Sequence, residues 1–150
     1  MVTTGPPSPQ IDDEQQARLR AAVPTTMLAT PYLSSLNLVF ERYEPDQVSI
    51  RLPFRADLTN DGVYYHGGVI AAVMDTAGAA AAWSNHDFNK GARASTVAMS
   101  VQYVGAAKRS DLVCHARAVR RGKELIFTEI TMADDAGAVV AHGVQTYRIV

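Results

Sequence analysis

One segment constrains this chain more than any other. Gly67 to Trp83 (GGVIAAVMDTAGAAAAW) is rich in Ala, holds β-branched residues mainly near its start, and is apolar on every face apart from Asp75 and Thr76. That composition predicts a helix. A helix apolar all round has to be covered on most of its surface, and its Ala and Gly residues let a sheet or a second helix approach closely. Asp75 is the only charge in the segment. A buried carboxylate is costly unless it is paired or hydrogen-bonded, and ionisable groups in such surroundings concentrate at functional sites. Two readings stand side by side. Asp75 is either a structural residue that reaches water or a nearby amide, or a group whose environment is put to chemical use.

The start of the helix carries a second signal. His66-Gly67-Gly68 leaves backbone N–H groups unshielded at a terminus with partial positive charge, a place that can hold a developing oxyanion. A Gly pair is equally an ordinary loop-to-helix joint, with His66 as its cap. Asp75 follows Gly67 by eight residues, which at the helical rise is about 12 Å along the axis. One substrate carbonyl cannot touch both within a single helix. If both act, the Asp has to come from the helix of a second subunit, antiparallel across a two-fold axis.

The rest of the chain reads as one domain over 25–150, preceded by a leader and a short helix over 1–24. With 150 residues there is room for one sizeable core. Met1 to Pro9 is Gly-, Pro-, Ser- and Thr-rich, which predicts a disordered leader. Asp12-Asp13 open a helix running to about Ala22, where Pro24 is expected to stop it, and Thr26 to Leu33 reads as a connector. Leu36–Tyr43 and Gln47–Phe54 form a candidate hairpin about Glu44-Pro45-Asp46. Asp57 to Tyr65 is loop. After the helix, Ala94–Val104, Asp111–Val119, Leu125–Ala133 and Ala138–Ile149 predict four strands in an antiparallel meander, separated by turn-forming clusters. The class is therefore α+β.

Composition excludes several functions. A net charge of −1 and a pI near 6.4 give no electrostatic case for nucleic acid or an anionic membrane surface, and no stretch approaches the ~20 apolar residues of a membrane span. No secretory signal is apparent at the N-terminus, and Cys114 is the single cysteine; both fit a soluble protein of the reducing cytoplasm. Cys114 and His115 point to opposite faces of a strand and cannot form a dyad. His86-Asp87 lacks a third ligand at metal spacing, so no metal site is expected. His142 lies within a strand and reads as structural. Neither a Walker motif nor a Gly-x-Ser-x-Gly elbow occurs.

Asn60, then His66-Gly67-Gly68 six residues on, then Asp75 in a small-residue helix followed by strands, resembles the hotdog-fold acyl-CoA thioesterases, in particular the phenylacetate-degradation (PaaI-like) and THEM-type branch. The resemblance covers Leu36 to Ile149. It implies a single hotdog domain, an antiparallel sheet wrapped around the central helix, assembled as a homodimer and, as a dimer of dimers, a homotetramer. By position it implies that Asp75 activates water or attacks the thioester carbonyl, and that the Gly67 N–H contacts the oxyanion. It further implies that Asn60 orients water or thioester, that His66 supports the loop or polarises the carbonyl, and that Thr96 stands near the Asp. Gly68 and Tyr65 are candidate substrate contacts; Tyr64-Tyr65 departs from the smaller residues usual before the His, which bears on the acyl pocket. A CoA substrate needs cations for its phosphates. Arg93, Lys108, Arg109, Arg120, Arg121 and Lys123 lie at strand ends and turns, with Arg120-Arg121-Gly122-Lys123 the better cluster, although such residues are commonly just solvated. No cofactor is expected, coenzyme A being part of the substrate. A hotdog dehydratase or hydratase, or a non-catalytic acyl-CoA-binding module, are the alternatives.

Overall fold

An Asp12 capping box opens the first helix: the Asp12 carboxylate accepts from the Gln15 N–H and the Gln15 side chain returns a bond to the Asp12 N–H. This helix, α1 (Asp13–Leu28), is followed by a single turn, α2 (Pro31–Ser34). The computed structural model describes residues 9–150, so the leader expected over Met1 to Pro9 lies almost wholly outside the described residues. Pro24 does not stop α1, contrary to the sequence expectation, and the boundary expected between 24 and 25 falls inside the helix. A proline removes one N–H donor and crowds the carbonyl four residues back. Here that local cost is offset by tertiary contact, since α1 packs along the central helix and Arg20 Nε donates to the His86 carbonyl at 2.8 Å.

The chain then forms β1 (Val39–Glu44) and β2 (Gln47–Leu52), the expected hairpin, with Asp46 at its turn in the left-handed region (φ 65°) that Asp tolerates. The central helix, α3 (Gly67–Ser84), is followed by β3 (Ala94–Tyr103), β4 (Leu112–Arg121), β5 (Leu125–Asp134) and β6 (Val139–Ile149). All six strands belong to one antiparallel sheet ordered β1-β2-β4-β5-β6-β3. The meander is thus three strands, β4-β5-β6. β3 departs from the expected consecutive order and lies at the far edge, paired with β6 alone. Alternating polarity identifies a strand and its faces but not its neighbour, so this difference was invisible in the sequence.

One face of the sheet wraps α3. Val48, Ile50 and Leu52 of β2, Leu112, Cys114 and Ala116 of β4, and Ile130 and Met132 of β5 close over Ile70, Val73, Met74, Ala77, Ala80 and Ala81. Ala77 to Ala82 is wholly buried, and the small side chains allow that close approach. The α+β class and the sheet-wrapped helix follow from this single packing event. Among the described residues no helix is long and apolar enough to cross a membrane.

Candidate active site

α3 begins at a cap that uses the histidine. His66 takes extended backbone angles, and its Nδ1 accepts from the Gly68 N–H at 2.8 Å. The Val69 N–H donates to the His66 carbonyl at 3.0 Å, while the Gly67 N–H has no protein acceptor among the described residues. Gly68 therefore has its donor occupied and Gly67 has its donor free. The Gly67 carbonyl accepts from Tyr103 Oη at 2.9 Å, and a Cβ on Gly67 would meet the Tyr103 ring at 3.4 Å. The helix start is thus pinned to β3.

The preceding loop is held by its own side chains. Asp61 Oδ1 accepts from the Val63 and Tyr64 N–H groups, each at 2.9 Å, and those bonds hold its carboxyl below the usual range. Thr59 Oγ1 accepts from the Gly62 N–H at 2.7 Å. The Asn60 main-chain N–H donates to the Tyr64 carbonyl at 2.9 Å, leaving the Asn60 side chain exposed at the loop surface. Tyr65 lies in the core at 5% exposure; its hydroxyl donates to the Ser110 carbonyl at 3.0 Å and its ring meets Phe54 edge-on. It anchors the loop.

Asp75 sits at the middle of α3, half-buried, and is met from two strands. Its Oδ1 accepts from Thr96 Oγ1 at 2.6 Å and from Gln145 Nε2 at 2.7 Å. Gln145 Nε2 also reaches the Asp75 carbonyl at 3.0 Å. Oδ2 takes no protein hydrogen bond among the described residues. The β3 ladder slips between Thr96 and Ala98, so Val97 has no partner on β6; a bulge of this kind commonly re-aims a side chain beside a functional site. Gln145 is 2% exposed, and its Oε1 lies against Gly78, where a Cβ would stand 2.4 Å away. Only glycine at 78 leaves the amide room to face Asp75.

Asp75 and Thr96 line a cleft of about 380 Å³ with Ala72, Ala79, Met27, Leu33 and Tyr147. The Tyr147 hydroxyl accepts from the Trp83 indole N–H at 3.2 Å, and burial, with the charge of Asp75 added, pushes its pKa up. It remains a neutral phenol at neutral pH. Thr96 lies beside Asp75, the position that the family resemblance implied for it. His66 and Gly67 stand at the start of the helix, about 12 Å from Asp75 by helical rise, and Asn60 lies in the loop ahead of them. Gln145 was missed by sequence reasoning. Its signal is the alternation Ala141, Gly143, Gln145, Tyr147, Ile149, which puts one amide on the buried face of β6.

The basic candidates separate. The Arg121 guanidinium is committed to Asp46 (2.5 Å) and to the carbonyls of Ala81 (2.9 Å) and Ala82 (2.8 Å), capping the C-terminal end of α3. Arg120 is exposed on the outer face of the sheet, as its pairing opposite Phe127 requires, and Lys123 is exposed in the β4–β5 turn. Arg93 is exposed just ahead of β3, three residues before Thr96 and roughly 10 Å from it along an extended strand. Lys108 lies over the Tyr64 ring at 5.9 Å.

Comparison with known proteins agrees with this architecture. Residues 64–141 match the family model for the thioesterase superfamily. A protein of Halobacterium salinarum named "Putative esterase" is 34% identical over 126 residues, covering 78% of this chain and 83% of its own length. The PaaI protein of the Escherichia coli phenylacetic acid degradation operon superposes with a TM-score of 0.78 at 16% identity, covering 90% of this chain and 95% of that one. A thioesterase protein of Streptococcus pneumoniae, solved with coenzyme A, superposes at 0.68 and 18% identity, covering 76% and 86%. The sheet order, the wrapped helix and the family match over residues 64–141 lead to one conclusion: the chain is a hotdog-fold protein and belongs to the thioesterase superfamily.

Proposed function

We propose that the chain hydrolyses acyl-CoA thioesters to a carboxylic acid and free CoA, with Asp75 as the catalytic carboxylate. The observation that carries this reading is the asymmetric binding of Asp75: Oδ1 is fixed by Thr96 and Gln145 while Oδ2 is left for a water or a carbonyl in the cleft. A thioester is already an activated acyl group, so one base and one oxyanion donor suffice. Water attacks the carbonyl carbon as Asp75 takes its proton. The tetrahedral oxyanion is held by a backbone N–H, the C–S bond breaks, and the proton passes to the leaving thiolate. No cofactor beyond the CoA of the substrate is required. The coenzyme A bound to the Streptococcus pneumoniae relative supports this substrate class.

The oxyanion donor in this reading is the Gly67 N–H of a second copy. β3 touches both halves of the site, Asp75 through Thr96 and Gly67 through Tyr103, and its outer edge is unpaired among the described residues. Antiparallel pairing of two β3 edges about a two-fold near Met99 and Ser100 sets the Thr96 end of one strand against the Tyr103 end of the other. The two helix halves then meet at each end of the shared strand pair. Asn60 and His66 travel with Gly67, Asn60 to orient the thioester or water and His66 to hold the cap. Arg93, Arg120 and Lys123 remain candidates for the CoA phosphates. Gly68, its N–H held by His66, would act only by letting substrate approach.

The test is release of free thiol from a panel of acyl-CoAs. Asp75→Asn should lower kcat by about 10²–10⁴-fold, the usual size of a lost general base, with the fold retained by circular dichroism. Undiminished turnover in that variant overturns the assignment. A single turnover in ¹⁸O-water separates the two routes open to the carboxylate, since label enters Asp75 only if it attacks the carbonyl directly.

A further inference from the structure

A second hollow lies beyond Asp75. α1 presents Leu19, Ala22, Val23 and Met27 on one stripe, spaced by three and four residues, and these face Trp83 and Phe88 across a groove of about 410 Å³. The Asp75 cleft and this groove share two lining residues, Met27 and Thr30, so they adjoin. The floor of the combined channel is a single face of α3: Asp75, Ala79 and Trp83, each one helical turn from the last. Phe88 stacks on Trp83 with ring centroids 5.5 Å apart and, with it, lines the end of the groove away from Asp75. The lining turns from polar at Asp75 and Thr96 to almost wholly carbon at Leu19, Val23 and Trp83, and no charged side chain lines the groove. Both hollows fall within the roughly 300–1,000 Å³ typical of small-molecule sites.

We infer that this groove between α1 and α3 takes the acyl tail of the substrate and selects an unbranched, apolar chain of medium length. The inference rests on the reading of Asp75 as the hydrolytic carboxylate. Asp75 to Trp83 is eight residues, about 12 Å along the helix. An extended chain gains about 3.3–3.6 Å for every three bonds, so about ten carbons reach from the carbonyl to Trp83. Acetyl or a polar aryl group leaves most of the groove unfilled, while much longer chains meet the Trp83–Phe88 stack. α1, which sequence alone placed outside the thioesterase domain, becomes the wall that decides acyl specificity. Each methylene moved from water into the groove raises kcat/KM about three- to fourfold, up to the length at which the groove is full.

A chain-length series of straight acyl-CoAs from acetyl to hexadecanoyl tests this with the full-length protein. The expected result is a rise of about three- to fourfold per methylene beyond butyryl, levelling near decanoyl. Ala22→Phe, at an exposed position of α1 that borders the groove, should cut the decanoyl-to-butyryl ratio of kcat/KM at least tenfold. Leu19→Glu should do the same by placing a charge in the groove. A flat series, or a ratio untouched in both variants, overturns the groove while leaving hydrolysis intact. If no CoA thioester is cleaved, the hydrolytic reading falls, and the groove is judged by binding alone. Trp83 is the only tryptophan in the chain, so its emission should shift on titration with decanoate and not with acetate, and the shift should be lost in Ala22→Phe. An unchanged emission overturns the inference, as does an emission that follows protein concentration and not ligand, which assigns the groove to a second copy.

Discussion

Gln145 Nε2 spans the carboxylate and the main-chain carbonyl of Asp75, and this double contact fixes both the side chain and the helix turn that carries it. A hydrogen bond to a charged group in a half-buried site contributes more than one in water. Gln145→Leu fills a similar volume but leaves Oδ1 with Thr96 alone. It should lower kcat by about 10–100-fold with KM changed less than about threefold, because the carboxylate is misaimed and the binding surfaces are untouched. Steady-state kinetics on one acyl-CoA, with the thermal midpoint as a control, checks this. A variant that loses stability and KM together, with kcat preserved, would make Gln145 merely structural. The same residue shows what sequence reading can miss. A polar residue in a strand draws no notice until the alternation of β6 is followed and Gln145 falls on the covered face.

At the level of elements, α3 is held at both ends by groups from the strands. Tyr103 secures the first turn, and Arg121 caps the last by donating to the carbonyls of Ala81 and Ala82 while pairing with Asp46. Sequence chemistry offered Arg121 as a phosphate ligand, since an Arg-Arg-Gly-Lys turn is a plausible anion cradle. The structure gives that guanidinium to the helix, and the reason is a slip in the β4 ladder: the register shifts between Ala118 and Arg120, so Arg121, opposite Ile126, faces α3, whereas Arg120 faces outward. Arg121→Met should destabilise the fold by about 2 kcal/mol, because the carbonyls and Asp46 lose a charged donor at a site still partly exposed. In a chain of this size that lowers Tm by roughly 4–8 °C. kcat on a saturating acyl-CoA should stay within about twofold. A Tm unchanged in calorimetry would show that the clamp contributes nothing.

For the whole molecule, β3 is the element on which the proposed dimer rests. It is a ten-residue strand with one edge free among the described residues, and Val97 (56%), Tyr103 (54%) and the adjoining Val104 (60%) are strongly exposed. An edge that long, with few charges, is a pairing site unless something covers it. Sedimentation equilibrium at micromolar concentration should therefore give twice the 16.2 kDa chain mass or a multiple of it. Replacing Ser100 and Gln102 on the edge by Lys should shift the protein toward monomer and abolish turnover together, since in the proposed shared site neither helix half acts alone. Full activity in a proven monomer would sink the shared site.

The sequence by itself determined the class, the central helix and the hairpin, and it set the distance along that helix between its first glycine and its one carboxylate. Each of these is written in local pattern: helical composition, period-two alternation, turn residues, and a rise per residue that forbids Gly67 and Asp75 from meeting within one helix. Only the tertiary structure decided that β3 crosses to the far edge, that α1 runs through Pro24 to wall the cleft, that Gln145 joins Thr96 on Asp75, and that Arg121 belongs to the helix. These depend on which strand neighbours which and on contacts between residues 20 to 80 positions apart, and no local periodicity encodes such pairings.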